Sequence, residues 1–164
     1  MYRSHDSGIW VISWSGEKRV TPFVYEAEVC RVIDGDSVVC NISCGFDIYL
    51  NKQNIRLYKI DTPETRGGTA ELKALGYAAK NYVKEELPPG SKVLVRTYID
   101  GRGKFGRLLA SIYKSEGDGF ATKSINSCLL EMRLAVEYMG QSKADIMIAH
   151  HANVRYHQES GLLR

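Results

Sequence analysis

Five charged residues stand out by type and spacing: Asp36, Arg56, Asp61, Glu64 and Arg107. Asp36 follows the turn in VIDGDSV. Arg56, Asp61 and Glu64 fall within ten residues of IRLYKIDTPE, and Arg107 follows GKFG. Carboxylates supply the hard oxygen ligands that calcium and magnesium take, and two guanidinium forks match the geometry of a phosphate. If the chain brings them together, the set suits metal-assisted chemistry on a phosphodiester. Taken singly, DGD and DTPE are ordinary turns, and Arg56 is a strand residue with its head in solvent.

The surrounding elements decide whether the five can meet. EAEVCRVIDGDSVVCNI places two β-prone runs around an Asp-Gly turn, whose glycine is expected to supply positive backbone angles. A polar loop at 51–54 then leads into a third strand, IRLYKI. The segment 69–87 spaces Leu72, Leu75, Ala79, Tyr82 and Val83 as the apolar face of a helix, which PPG ends. SKVLVRTYI and RLLASIYK alternate as two more strands. A second helix is expected over 122–139, with Ile125, Cys128, Leu129 and Met132 inward, and a third over 141–163. Three strands, a helix and two strands predict a mainly β α+β fold, a partly open five-stranded OB barrel with packed helices. In that barrel the charged residues at the strand ends converge.

With 164 residues, 44% hydrophobic and 25% charged, the chain suits one core rather than two. The expected division is an N-terminal arm or hairpin over 1–25, a barrel domain over 26–139 and a helical tail over 140–164. A net charge of +3 is too mild to announce a nucleic-acid partner by itself. The apolar run GIWVISW is too short for a secretory signal, and no run approaches the about 18 apolar residues of a membrane helix. The expectation is a cytoplasmic protein with no membrane partner. Four cysteines without CxxC pairing read as reduced structural thiols.

VIDGDSV, IRLYKIDTPE and GKFGR, in this order and spacing, resemble the three active-site motifs of the staphylococcal nuclease (thermonuclease-like) family, over about residues 28–139. The resemblance implies an SNase-like OB fold and a calcium-dependent endonuclease that cleaves DNA and/or RNA to 3'-phosphate ends, with magnesium less effective. It makes Asp36, Asp61 and the Thr62 carbonyl the metal ligands. Glu64 becomes the group that positions or deprotonates water, Arg56 and Arg107 the phosphate clamp, and Lys104 and Phe105 substrate contacts. Lys59, Lys80, Lys84 and Lys104 are expected to form a basic rim. The alternative is a catalytically silent module of the same fold that binds nucleic acid or serves as a scaffold. Silent copies are expected to lose one or more of the five charged residues, and all five are present.

The sequence departs from the family pattern in four places. Phe105 replaces a tyrosine, removing a hydroxyl that could bond a phosphate. Arg133 replaces a glycine at a helix end, at a cost of about 1 kcal/mol if the backbone there is left-handed. RGGT gives a short loop after Glu64. The longer connection CGFDIYLNKQN resembles cytosolic bacterial and phage-type members. Asp34 is expected to stabilise its turn through an Asx contact, Trp10 and Trp14 to cover the core or a partner, and His150 and His157, on one helical face, to be solvated rather than metal-binding.

Overall fold

The computed structural model describes residues 23–98 and 107–163. The N-terminal run at 9–14, Trp10, Trp14, Lys104 and Phe105 lie outside the described residues. Strand pairing starts from the turn at Gly35 and Asp36. There β1 (Val24–Asp34) reverses into β2 (Ser37–Ser43), with Asp34 opposite Ser37. Neither turn residue adopts the left-handed backbone expected of an Asp-Gly hairpin. Glycine is required at 35 for room instead: a Cβ there would stand 2.8 Å from Ala79 Cβ and 3.0 Å from Thr62 Oγ1.

The polar residues 51–54 are strand, not loop, and belong to β3 (Tyr49–Leu57). Gln53 and Asn54 pair with Cys40 and Val39 of β2, and at the register shift beside them Asn41 Oδ1 accepts from the Lys52 N–H at 2.9 Å. The ladder overrides the turn propensity of Asn54. A two-residue turn leads to β4 (Ile60–Asp61). Thr69 then caps α1 (Ala70–Glu86), whose Leu72, Leu75, Gly76, Ala79 and Val83 are buried. β5 (Lys92–Tyr98), β6 (Leu108–Glu116) and the short β7 (Gly119–Phe120) follow.

The sheet order is β3-β2-β1-β5-β6-β7, and β3 also pairs in parallel with β6 through Ile55↔Leu108, Arg56↔Leu109 and Leu57↔Ala110. That pairing closes a five-stranded mixed barrel, so the fold is an SNase-like OB barrel of the α+β class. Val29, Val38, Ile55, Val95 and Ile112 fill it, and Leu75, Ala79 and Val83 of α1 belong to the same core.

The second helix is much shorter than its apolar spacing predicts: α2 is Ile125–Glu131. Arg133 adopts the left-handed backbone (φ 55°) that the missing glycine would favour, and the Leu134 N–H returns to the Leu129 carbonyl at 2.9 Å. The chain then bends through buried Leu134 and Ala135 into β8 (Val136–Glu137), where Val136 is buried too. Of the four residues expected inward, Ile125 and Leu129 are buried, Cys128 is half-buried and Met132 is exposed. Buried Asn126 ties α2 to the barrel: its Oδ1 accepts from the Ile112 N–H at 3.2 Å, and its Nδ2 donates to the Tyr58 and Ala110 carbonyls.

Ser142 caps α3 (Lys143–Glu159), which buries Ile146, His150, Val154 and His157. The two histidines are 2% and 4% exposed, so the solvated placement expected for them does not hold. Among the described residues no helix is long and apolar enough to cross a membrane.

Candidate active site

Barrel register puts Arg56 opposite Ser37, the neighbour of Asp36. The Leu57 N–H donates to the Asp36 carbonyl at 2.8 Å, locking the β1–β2 turn onto the end of β3. The Asp36 side chain is buried. Its Oδ1 accepts from Ser37 Oγ at 3.0 Å, and its Oδ2 accepts from the Thr62 N–H at 3.1 Å and pairs with Arg56 Nη1.

Arg56 spans two carboxylates. Its Nη2 donates to Asp61 Oδ1 at 2.6 Å and, more weakly, to the Ile60 carbonyl at 3.4 Å. Burial would lower the pKa of the guanidinium, but the charges of Asp36 and Asp61 raise it above its ordinary value. Asp61 is fixed from two further sides. Its backbone pairs with Val136 in the β4–β8 ladder, and its Oδ2 meets His150 Nε2 at 2.9 Å. Burial would raise the Asp61 carboxyl, yet the His150 hydrogen bond and the Arg56 charge outweigh it and hold the group below the usual carboxylate value.

Arg56, Asp61 and His150, but not Asp36, line a cavity of about 1150 Å³ together with Thr62, Glu64 and Arg107 among others. Asp36 lies behind Arg56. Glu64 and Arg107 are exposed on the walls. The 63–64 segment rests directly on α1, because Gly76 has no Cβ to hold it away. Five basic side chains (Arg56, Lys59, Arg66, Arg107, Lys143) line the cavity against two acidic ones (Asp61, Glu64), which favours a polyanion.

The basic rim differs from the expected one. Lys59 lines the cavity, but Lys80 and Lys84 do not; they lie one and two turns beyond Gly76 on α1, and Lys80 is 3.7 Å from Asp34. Arg66 and Lys143 take their place. Asp34 accepts from Thr65 Oγ1 at 3.0 Å, tying the turn to the chain after Glu64.

The donor set suits a hard divalent cation. Two carboxylates, from separate elements, converge on a single cationic head, and the guanidinium there stands in for the positive charge that the pair requires. Among the described residues no group of three or more histidine, cysteine, aspartate or glutamate side chains has metal-binding geometry, so the protein's share of such a shell is incomplete. Of the three residues expected to hold an ion, Asp36 and Asp61 meet through Arg56, and Thr62 joins them through its N–H to Asp36 Oδ2.

The family profile for staphylococcal nuclease homologues matches residues 54–160. The chain belongs to that family. This staphylococcal nuclease homologue is 33% identical to a thermonuclease of Staphylococcus intermedius over 85 residues, 52% of this chain and 46% of the relative. It is 35% identical to endonuclease YncB of Bacillus subtilis over 106 residues, 64% and 44% of the two chains. With endonuclease YhcR of the same organism it shares 30% identity over 98 residues, 57% of this chain and 8% of the relative. It therefore spans less than half the length of each of these three relatives. The family match extends through α3, the element that carries His150.

His150 is the site residue that motif spacing does not indicate. A signal exists all the same: Ile146, His150, Val154 and His157 follow one another at intervals of four, four and three, the stripe of a buried helix face.

Proposed function

We propose that this homologue is a metal-dependent endonuclease that hydrolyses phosphodiester bonds of DNA and/or RNA, with calcium as the effective ion and magnesium less so. One observation carries the reading: Arg56 bridges Asp36 and Asp61 on the floor of a basic cavity whose walls hold Glu64 and Arg107. A structural ion pair needs neither the cavity nor the two wall residues.

In this reading Asp36, Asp61 and the Thr62 carbonyl hold the ion. When bound, it polarises a phosphoryl oxygen and offsets charge gathering on the phosphate. Arg56 turns at least one arm of its fork from carboxylate to phosphate, and Arg107 grips the same group from the wall. Glu64 orients a water and takes its proton as the water oxygen bonds to phosphorus. The bond from phosphorus to the 5' oxygen breaks, that oxygen gains a proton from solvent, and a 3'-phosphate and a 5'-hydroxyl result. Lys104 and Phe105 are assigned to substrate on the family resemblance alone.

Incubation of circular DNA, linear DNA and RNA with calcium, magnesium or chelator, followed by end-group analysis, tests the assignment. Calcium-dependent nicking of circular DNA with 3'-phosphate ends is expected. Binding without cleavage in every metal would instead make the chain a nucleic-acid-binding module.

A further inference from the structure

His150 and His157 sit two turns apart on the buried face of α3, and each meets an acceptor on another element. His157 Nε2 lies 3.2 Å from the Arg133 carbonyl, and His150 Nε2 lies 2.9 Å from Asp61 Oδ2. A carbonyl and a carboxylate only accept, so the shared proton sits on Nε2 in both rings. Both Nδ1 atoms are buried and find no partner among the described residues.

The two contacts differ in what they hold. The Arg133 carbonyl belongs to the helix-ending turn, remote from the cavity chemistry. Asp61 offers one oxygen to Arg56 and the other to His150, so the His150 bond decides which oxygen meets Arg56. A carboxylate held at one oxygen cannot rotate about its Cβ–Cγ bond without breaking that bond. It therefore meets an incoming cation already oriented, and the partners that orient ligands in this way influence metal affinity strongly. Ile146 and Val154, one turn before and after His150, are buried on the same helix.

We propose that His150 is a positioning residue: its Nε2–H holds the Asp61 carboxylate with Oδ1 turned to Arg56, and α3 is thereby part of the ion- and phosphate-binding site. This rests on the reading of Asp61 as a metal ligand. His157 is the internal control, buried on the same helix with an Nε2 bond of its own, but to a backbone carbonyl rather than to a site carboxylate.

The test uses the full chain and calorimetric titration of calcium in the presence of a nucleoside 3',5'-bisphosphate, with thermal melting alongside. His150→Leu should bind calcium about 10- to 100-fold more weakly. His150→Gln carries an amide N–H at the reach of Nε2 and should recover most of that loss, whereas His150→Asn falls short and should not. The Gln and Asn pair keeps the comparison informative if the leucine variant does not fold. His157→Leu should lower the melting temperature yet leave calcium affinity unchanged. Unchanged affinity in His150→Leu, equal loss in His157→Leu, or equal loss in the Gln and Asn variants would overturn the positioning role alone. Absence of calcium binding in the unsubstituted protein would overturn the metal-site reading and the inference with it.

Discussion

Replacing Gly76 by alanine sets two local effects against each other. Within a helix, alanine is favoured over glycine by about 1 kcal/mol, so propensity predicts stabilisation of α1. The packing predicts the reverse. A Cβ at position 76 would stand 2.5 Å from the Pro63 carbonyl oxygen and 3.1 Å from the Glu64 carbonyl carbon and oxygen. Ordinary contact begins at 3.4 Å, so the 63–64 backbone must recede by about 0.9 Å. The obstacle is main chain on one side and helix on the other, and no flexible side chain can give way. Overpacking of this kind costs about 1–3 kcal/mol, which offsets the helical gain and leaves a net loss of about 0–2 kcal/mol. Activity should suffer more, because the displaced segment carries Glu64 and follows Thr62, whose N–H anchors Asp36. A misplacement near 1 Å can cost about 100-fold in rate. Urea unfolding and turnover on single-stranded DNA, at a temperature where both proteins are fully folded, measure the two effects separately. An alanine variant that is more stable and turns over at the wild-type rate would refute both the rigid seating of this segment and the role given to Glu64.

Glu64→Gln should fold normally, since the side chain is exposed, and lose at least about 100-fold in turnover, because an amide is no base; near-wild-type rates on circular DNA would remove Glu64 from the mechanism. Arg56→Lys and Arg107→Lys should each be severe for cleavage, and only Arg56→Lys should also lower the urea midpoint, because one ammonium cannot span Asp36 and Asp61. The Asp61 carboxyl titrates below its unfolded value, so its contribution to stability is complete above about pH 4 and is lost as pH falls through the lower folded value. Urea midpoints from pH 2 to 6 should therefore fall less steeply below about pH 4 in Asp61→Asn than in the wild type, and parallel curves would contradict the Asp61 pairing.

The barrel and the meeting of Arg56 with Asp36 and Asp61 were legible because they depend on strand order and on turns written in short motifs. Three things were not. The apolar spacing of Leu129, Met132 and Val136 continues a helical period past the point where left-handed Arg133 ends the helix, and period alone cannot register a backbone reversal. The segment that results is β8, which fixes the Asp61 backbone. Asn54 carries turn propensity, yet pairing with Val39 of β2 decides its conformation, while Asn51 sits at the register shift within β3. His150, 89 positions from Asp61 in sequence, meets it only because Ile146 and Val154 bury one face of α3. Polar side chains buried through long-range contacts, Asn126 among them, leave little local trace in a sequence.

The central claim is that Asp36, Asp61 and Arg56 form one site for a cation and a phosphate together. In the structure the guanidinium already pairs with both carboxylates and offsets one of their two charges, so calcium entering alone competes with a charge that is in place. A phosphate gives that guanidinium a new anionic partner and frees carboxylate oxygen for the ion. Calorimetry with calcium and a nucleoside 3',5'-bisphosphate, added in either order, should show each ligand binding about 5- to 150-fold more tightly when the other is present, by the same factor both ways. Independent binding of the two, or binding of the nucleotide unaffected by chelator, would contradict it.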